Sequence, residues 1–258
     1  MTKRKFRGAL IDLDGTVFFK SSAIPGAREA LDRLRLAGVK LRFLSNTDSI
    51  TAGSLAERVT AIGVPVEAEE VYTSASAAQE FLKANQGKKC LCLLSDQLKK
   101  AFAEVHTEAG GNVDYVLVGD CRERISYEAL NSAFQALMEG AELIVLQRGR
   151  YFMRDDGYNL DTGAFVAMFE YASGKTARVL GKPSREFFAG ALAHMGLQPE
   201  EAVIVGDDLE SDIQGAATMG MSSVLVKTGK FTEEALLASN HKPTWVLDSL
   251  ADVPDVLL

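Results

Sequence analysis

The feature that most constrains this chain is a short apolar run that ends in two aspartates. Residues 9–11 (Ala-Leu-Ile) are followed by Asp12-Leu13-Asp14-Gly15-Thr16. An uninterrupted apolar run is typical of a strand that is buried on both faces of a parallel sheet. If the strand continues that far, its alternation places the carboxylates of Asp12 and Asp14 on one face. We therefore expect both at the carboxyl end of a central strand, where open α/β sheets bind their ligands.

Two neighbouring carboxylates are costly for a fold and useful for chemistry. They can hold a hard cation, and one can attack an electrophile while the other transfers a proton. The alternative is structural, because a strand end followed by an Asp-Gly turn is common. Taken alone, the stretch from Asp12 to Gly15 leaves both interpretations open.

Strand-like and helix-like segments alternate over almost the whole chain, which predicts an α/β fold with a doubly wound parallel sheet. Residues 17–24 are expected to form a loop, and residues 151–160 a hairpin around Asp155-Asp156-Gly157. Between about 77 and 176 the strand–helix alternation continues but the polar motifs thin out. We expect residues 77–176 to be a smaller α/β unit inserted into a core formed by residues 1–76 and 177–258.

Charge and cysteine usage limit the partners and the compartment. A net charge of -7 argues against nucleic acid or an anionic membrane as the main partner. A small anionic substrate stays compatible, because a site can be locally cationic. The basic start, residues 1–5, leads into an apolar segment that breaks at Asp12, too short for a secretory signal or a membrane span. Cys90, Cys92 and Cys121 form neither a CxxC pair nor a disulfide framework, so we expect a cytoplasmic protein.

Polar clusters follow four of the apolar runs: Asp12/Asp14, Ser45/Asn46, Lys182 and Asp207/Asp208/Asp212. In a doubly wound sheet the carboxyl ends of the strands collect on one edge, so these clusters can share one site. Together the clusters offer acids for a cation, a hydroxyl and an amide for an oxyanion, and one ammonium. This set suits a phosphoryl group bridged to Mg²⁺. Each cluster alone has a simpler explanation, namely a helix-capping turn, a solvated lysine or an Asp-rich turn.

In this order the clusters resemble the motifs of the haloacid dehalogenase (HAD) superfamily of aspartyl-phosphate-forming phosphatases. Asp12-x-Asp14-Gly15-Thr16 is similar to the first motif and Ser45-Asn46 to the second. Lys182 in Gly-Lys-Pro is similar to the third, and Gly206-Asp207-Asp208 with Asp212 to the fourth. The gaps between them resemble the type IIA, NagD-like branch, whose cap domain is inserted after the third core strand.

Three further stretches, 147–152, Asp156-Gly157 and 225–230, resemble one subgroup of that branch. It contains the phospholysine, phosphohistidine and inorganic pyrophosphate phosphatase type and related hydrolase domain-containing proteins. One departure is Ser45-Asn46-Thr47, where many type IIA members have Thr-Asn-Asn. Serine keeps the hydroxyl that phosphate binding needs, but the change to Thr47 alters what lies beside it.

The resemblance implies a role for each motif residue. Asp12 would be the nucleophile, since a carboxylate is ionised at neutral pH and needs no activating base. Asp14 would be the general acid and base. The phosphate would be held by the motif residues Asp12, Asp14, Gly15, Ser45, Asn46 and Lys182. Mg²⁺ would be held by Asp12, the backbone carbonyl of Asp14, and Asp207, while Asp208 and Asp212 would orient its waters.

The resemblance thus implies a Mg²⁺-dependent phosphatase that acts on a small phosphorylated metabolite (a phosphomonoester, a P–N compound or pyrophosphate) and forms a homodimer through the cap. The net charge adds the expectation of no nucleic acid or membrane partner. Two alternatives stay open on the same fold. One is a phosphotransferase or mutase, and the other is a catalytically silent metabolite-binding protein. The sequence does not name the substrate, because specificity depends on the geometry of the cap.

Overall fold

Parallel strands and short helices make up most of the computed structural model, which describes residues 6–106, 112–154 and 157–258. In chain order the strands are β1 (Gly8–Asp12), β2 (Phe18–Phe19), β3 (Ser22–Ala23), β4 (Lys40–Ser45), β5 (Val71–Thr73), β6 (Cys90–Leu93), β7 (Tyr115–Val118), β8 (Glu142–Val145), β9 (Tyr151–Arg154), β10 (Gly157–Leu160), β11 (Arg178–Val179), β12 (Ala202–Gly206), β13 (Ser222–Val226) and β14 (Trp245–Leu247). The α-helices are α1 (Ala27–Leu36), α2 (Ala52–Ala61), α3 (Ser74–Ala84), α4 (Asp96–Ala101), α5 (Tyr127–Met138), α6 (Thr162–Ser173), α7 (Arg185–Met195), α8 (Gln214–Met219), α9 (Glu233–Ala238) and α10 (Val253–Leu257). A π-helical turn, Leu209–Ile213, precedes α8.

Contacts within the chain divide it into two compact units. Unit 1 comprises the residues up to Ser45, Ala52–Tyr72 and Lys182–Leu258. Unit 2 comprises Thr73–Gly181 together with the short segment Asn46–Thr51. Two separate segments of the chain therefore form unit 2, and the first of them directly follows β4.

The sheet of unit 1 has six strands in the order β14-β13-β12-β1-β4-β5. β1 lies parallel between β12 and β4, with Ile11 opposite Val205 on one side and Phe43 on the other. All five residues of β1 are buried, as its uninterrupted apolar sequence predicts for a central parallel strand. With helices on the connections, this sheet confirms the predicted doubly wound α/β fold class.

The sheet of unit 2 has four parallel strands in the order β11-β8-β7-β6. Alternate residues of β7 enter different apolar clusters: Tyr115 and Leu117 pack with β6 and α3, while Val116 and Val118 pack with α5 and α6. This two-residue period buries the strand on both faces. Unit 2 thus has a core of its own.

Two local predictions have different outcomes. The expected hairpin is present as the antiparallel pair β9–β10, although Asp155 and Asp156 lie outside the described residues. The expected loop at 17–24 is wrong, because β2 and β3 pair there as a small hairpin around Lys20-Ser21. With only two residue pairs, that hairpin is too short for an alternating pattern to reveal it.

None of the helices within residues 6–106, 112–154 and 157–258 combines the length and the apolar character that a membrane span requires. Cys90, Cys92 and Cys121 are buried and carry free thiols.

The contact between α7 and α8 yields a stability prediction. A Cβ at Gly215 would lie 2.1 Å from Cε2 and 2.4 Å from Cζ of Phe188, a fully buried ring that cannot yield easily. We expect Gly215→Ala to lower the free energy of unfolding by about 1–3 kcal/mol through overpacking. The matched control is Gly53→Ala in α2, where a Cβ meets nothing within 4 Å, so the change should be between neutral and about 1 kcal/mol stabilising. Urea unfolding of both variants measures the difference, and equal stabilities would contradict the proposed clash.

Candidate active site

Three neighbouring strands of unit 1 end in polar residues. β4 ends at Ser45, β1 ends at Asp12, and Asp207 directly follows β12. Because the strands are parallel neighbours, their carboxyl ends lie at one edge of the sheet. All three side chains are buried, so the sheet itself gathers a hydroxyl and two carboxylates.

The turn after β1 separates Asp12 from Asp14. The strand ends at Asp12, and the carbonyl of Leu13 then accepts the N–H groups of Val17 and Phe18 at 2.9 and 3.1 Å. Strand alternation therefore does not reach Asp14, and the condition on which both carboxylates were expected to share one strand face is not met. Asp12 is buried while the side chain of Asp14 is exposed. Desolvation by the surrounding protein, and then the charge of Asp12, raise the pKa of Asp14 above its ordinary value.

Lys182 connects two acidic residues by hydrogen bonds. Its Nζ donates to Oδ1 of Asp12 at 2.5 Å and to Oδ1 of Asp212 at 2.7 Å. All three residues are buried. Burial by itself lowers the pKa of Lys182, but the charges of Asp12 and Asp212 outweigh it and the net shift is upward. The ammonium therefore stays charged inside the protein and screens the acids from one another.

The carboxylate of Asp207 is held by two segments. Its Oδ2 accepts the backbone N–H of Lys230 at 2.6 Å, and its Oδ1 lies 3.5 Å from the donating hydroxyl of Thr16. Both segments approach this carboxylate closely. A Cβ at Gly15 would lie 2.3 Å from Oδ2 of Asp207, and a Cβ at Gly229 would lie 1.9 Å from it. Both glycines also have positive φ, 94° and 53°, which favours glycine. Burial, followed by the charges of Asp12 and Asp212, raises the pKa of Asp207 to about 8.

Asp208 and Asp212 have different environments. Oδ1 of Asp208 accepts the N–H groups of Glu210 and Ser211 at the start of the π-helical turn, and its Oδ2 accepts from Nζ of Lys230 at 2.8 Å. Burial raises the pKa of Asp208, but Lys230 and these N–H donors outweigh it and the net shift is downward. Asp212 lies inside the site, and burial raises its pKa to about 7 although Lys182 opposes the shift. The π-helical turn thus directs Asp212 inward.

The cluster of three carboxylates from Asp12, Asp207 and Asp212 fits a hard cation. Oxygens of the three lie within 4.8 Å of one another, and carboxylate oxygens are the ligands that Mg²⁺ and Ca²⁺ prefer. Oδ2 of Asp12 is buried and makes no hydrogen bond to the described residues, so one acceptor is still unsatisfied. Three acids face one buried ammonium, and a cation would offset the excess negative charge. The side-chain carboxylate of Asp14 is not in this group, and its predicted contribution is a backbone carbonyl.

The second predicted motif, Ser45-Asn46, is divided between the units. Ser45 ends β4 in unit 1, whereas Asn46 begins the segment assigned to unit 2. Within unit 2 the amide of Asn46 lies so close to Gly181 that a Cβ there would be 2.5 Å from Oδ1 of Asn46. Of the predicted residues, the structure therefore gathers Asp12, Lys182, Asp207 and Asp212 in unit 1, with Ser45 on the adjacent strand end, and places Asn46 in unit 2.

Sequence reasoning assigned no role to Thr16, Gly229 and Lys230. Residues 228–230 follow β13, the parallel neighbour of β12, and the rule that directed attention to the other strand ends applies there as well. The Gly229-Lys230 pair was thus detectable as a fifth polar strand end. The close approach of Gly229 to Asp207 is a long-range contact that no local pattern indicates.

Comparison with known proteins identifies the family. A protein-family model described as haloacid dehalogenase-like hydrolase matches residues 9–108. A second family model, described as HAD-hydrolase-like, matches residues 179–253. Haloacid dehalogenase-like hydrolase domain-containing protein 2 from Homo sapiens is 38% identical over 255 residues, covering 99% of this chain and 97% of that protein. Phospholysine phosphohistidine inorganic pyrophosphate phosphatase from Homo sapiens is 36% identical over 258 residues, covering 98% and 94%.

Solved structures agree with that similarity. The 4-nitrophenylphosphatase of Thermotoga maritima superposes with a TM-score of 0.91 at 27% identity and 98% coverage of both chains. NagD from E. coli K-12 gives a TM-score of 0.89 at 30% identity, with coverage of 96% of this chain and 98% of that one. The motifs, the doubly wound sheet and these relatives lead to one conclusion: this chain belongs to the haloacid dehalogenase-like hydrolases, in their NagD-like, type IIA branch.

Proposed function

We propose that this protein is a Mg²⁺-dependent phosphatase that hydrolyses a small phosphorylated metabolite through an aspartyl-phosphate on Asp12. Relatives and structural neighbours named as phosphatases support the reaction class. The observation that carries the proposal is the buried contact of Lys182 with Asp12 and Asp212 beside the carboxylate of Asp207. Burying such ions costs several kcal/mol per ion before their mutual attraction is counted, and clusters of buried groups with shifted pKa values are typical of functional sites.

Asp12 is suited to act as the nucleophile. Lys182 holds one of its oxygens and so orients the carboxylate, while the other oxygen makes no hydrogen bond to the described residues. Attack forms a bond from a carboxylate oxygen to phosphorus and breaks the bond from phosphorus to the leaving oxygen. Water then attacks phosphorus, releases inorganic phosphate and restores the carboxylate.

Asp14 is suited to move the proton in both steps. Asp14 is exposed at the turn after β1, and the upward shift of its pKa favours the protonated form that a general acid needs. It would protonate the leaving oxygen and then accept a proton from the attacking water. Lys182 and the hydroxyl of Ser45, with the amide of Asn46, are the residues we assign to the phosphate oxygens. Gly15 would let the chain turn close to the phosphate, beside Asp207.

The metal would be held by Asp12, Asp207 and the backbone carbonyl of Asp14. Asp212, the third carboxylate of the cluster, is already bound to Lys182, so with Asp208 it would orient the waters of the metal. When bound, Mg²⁺ stabilises negative charge on the phosphoryl oxygens. The residues of the chain prepare this place by clustering three carboxylates around one ammonium. Their excess negative charge is the reason that we expect a cation there.

Unit 2 is our candidate for the cap that selects the substrate. The insertion was predicted at 77–176, inside the range 73–181 of unit 2. A cytoplasmic location and a homodimer formed through the cap are predictions of the same kind. A capped site favours small phosphorylated molecules, and p-nitrophenyl phosphate is a suitable first probe because two structural neighbours are named as phosphatases of this compound.

The first prediction tests the nucleophile. We expect Asp12→Asn to lower the kcat for phosphate release from p-nitrophenyl phosphate by at least about 10³-fold, because an amide cannot form the acyl-phosphate. Glu210→Gln makes the same chemical change at an exposed residue of the adjacent turn and should keep wild-type activity. Undiminished turnover in Asp12→Asn would refute the mechanism. If the wild type releases no phosphate from this ester, small phosphometabolites, pyrophosphate or phosphoramidates, that result favours the non-catalytic alternative.

The second prediction tests the metal without measuring activity. A ligand that binds only the folded state stabilises it by about 2.7 kcal/mol at one hundred times its Kd, so Mg²⁺ should raise the Tm of the wild type. We expect Asp207→Asn to lose this rise, because it removes one of three clustered carboxylates. The same variant should be at least as stable as wild type without metal, since the raised pKa of Asp207 means that the fold disfavours a charged carboxylate next to Asp12 and Asp212.

Glu210→Gln is again the control for this experiment, and its Tm should rise with Mg²⁺ as in the wild type. An equal Mg²⁺-dependent rise in Asp207→Asn would show that the ion binds elsewhere.

A further inference from the structure

The segment Asn46–Thr51 has no regular structure, yet it is fixed along one edge of the unit 2 sheet. The hydroxyl of Ser95, just after β6, donates to the carbonyl of Ser49 at 2.6 Å. The N–H of Asp120, just after β7, donates to the carbonyl of Asp48 at 3.3 Å. The side chain of Gln147, just after β8, donates to the carboxylate of Asp48 at 3.2 Å. The segment therefore crosses the carboxyl ends of three successive strands.

Asp48 is the centre of this arrangement. Its Oδ2 accepts both from the hydroxyl of Thr162 at 2.6 Å and from the amide of Gln147. Gln147 is itself fixed, because the same amide nitrogen donates to Oδ1 of Asp161 at 2.7 Å and its carbonyl oxygen accepts the N–H of Gly149. Asp48, Gln147 and Thr162 are each less than 8% exposed. This is a buried polar network in which the partners of Asp48 have little freedom to move.

The other end of the segment reaches the fourth strand of the same sheet. One residue separates Gly181 from the end of β11. A Cβ at position 181 would lie 2.5 Å from the amide oxygen of Asn46. The hydroxyl of Ser74, at the start of α3, donates to the carbonyl of Thr47 at 3.4 Å. Asn46 is therefore placed by contacts of unit 2, whereas Ser45, its neighbour in the motif, is placed by β4 in unit 1.

We propose that Asp48 is a positioning residue that anchors the segment 46–51 to the edge of the unit 2 sheet and thereby places the amide of Asn46. The part that concerns catalysis rests on the proposed function, in which Asn46 holds a phosphate oxygen. The anchoring itself rests only on the contacts of Asp48 with Gln147, Thr162 and Asp120.

A double-mutant cycle tests the link to Asn46. Asp48→Ala removes the acceptor of two buried donors, and a displaced Asn46 should lower kcat/KM by about 10–10² fold, the effect of a small misplacement. Asn46→Ala should cost a similar factor, and the double variant should lose no more than Asn46→Ala alone. Asp48→Asn keeps one oxygen that can accept from both Gln147 and Thr162, so it should restore kcat/KM close to wild type.

Ser126→Ala is the control for a purely structural loss. Ser126 caps α5 in unit 2 by accepting the N–H of Ala129, a contact that does not involve the segment 46–51. Loss of such a cap costs about 1 kcal/mol, and we expect its kcat/KM to be unchanged. Losses at Asp48 and Asn46 that multiply in the double variant would overturn the positioning role.

Amide hydrogen exchange tests the anchoring without any substrate. Peptides covering 46–51 and 119–122 should exchange faster in Asp48→Ala, because the N–H of Asp120 loses its acceptor when the segment detaches. They should exchange as in wild type in Asp48→Asn. If Asp48→Ala does not fold, Thr162→Val removes one donor at nearly constant volume and should give the same pattern more weakly. Unchanged exchange in the folded Asp48→Ala or Thr162→Val protein would overturn the anchor, and this holds even if the protein has no phosphatase activity.

Discussion

The site of unit 1 depends on the buried ammonium of Lys182 between Asp12 and Asp212. These residues come from three distant segments: the end of β1, the loop before α7, and the π-helical turn after β12. In a medium of low dielectric, unpaired charges at these positions would be too costly to bury. The hydrogen bonds of Lys182 make the arrangement possible, and they also fix how the three segments approach one another.

Close approach to carboxylates explains three glycines around the site. A Cβ at Gly15 or Gly229 would lie 2.3 or 1.9 Å from Oδ2 of Asp207, and a Cβ at Gly206 would lie 2.3 Å from Oδ2 of Asp212. Only a residue without a side chain lets the backbone come this near to a carboxylate. The glycines therefore serve the electrostatic arrangement of the site, in addition to the positive φ that Gly15 and Gly229 need locally.

The sequence predicted the parts of the site that local patterns determine. Asp12, Ser45 and Asp207 come at the ends of apolar runs, and parallel strands bring such ends to one edge. Lys182 also follows an apolar run, but that run forms β11 in the sheet of unit 2. Its role therefore came from the order of the motifs, which resembles a known family. Strand alternation would have placed Asp14 on the face of Asp12 only if the strand had continued, but the carbonyl of Leu13 starts a turn that ends it. Turn hydrogen bonds and long-range contacts have no period for a sequence pattern to reveal.

The segment after Ser45 shows the same limit more clearly. Asp48 lies beside the second motif, but its partners Gln147 and Thr162 come 99 and 114 residues later, so no local pattern connects them. Neutral donors stabilise a carboxylate less than an ammonium does. Burial, with the nearby charges of Asp161 and Asp120, therefore raises the pKa of Asp48 to about 7 despite these hydrogen bonds. The two units thus bury carboxylates in different ways: unit 1 pairs them with an ammonium in a group that fits a cation, and unit 2 holds one by neutral hydrogen bonds that fix a stretch of backbone.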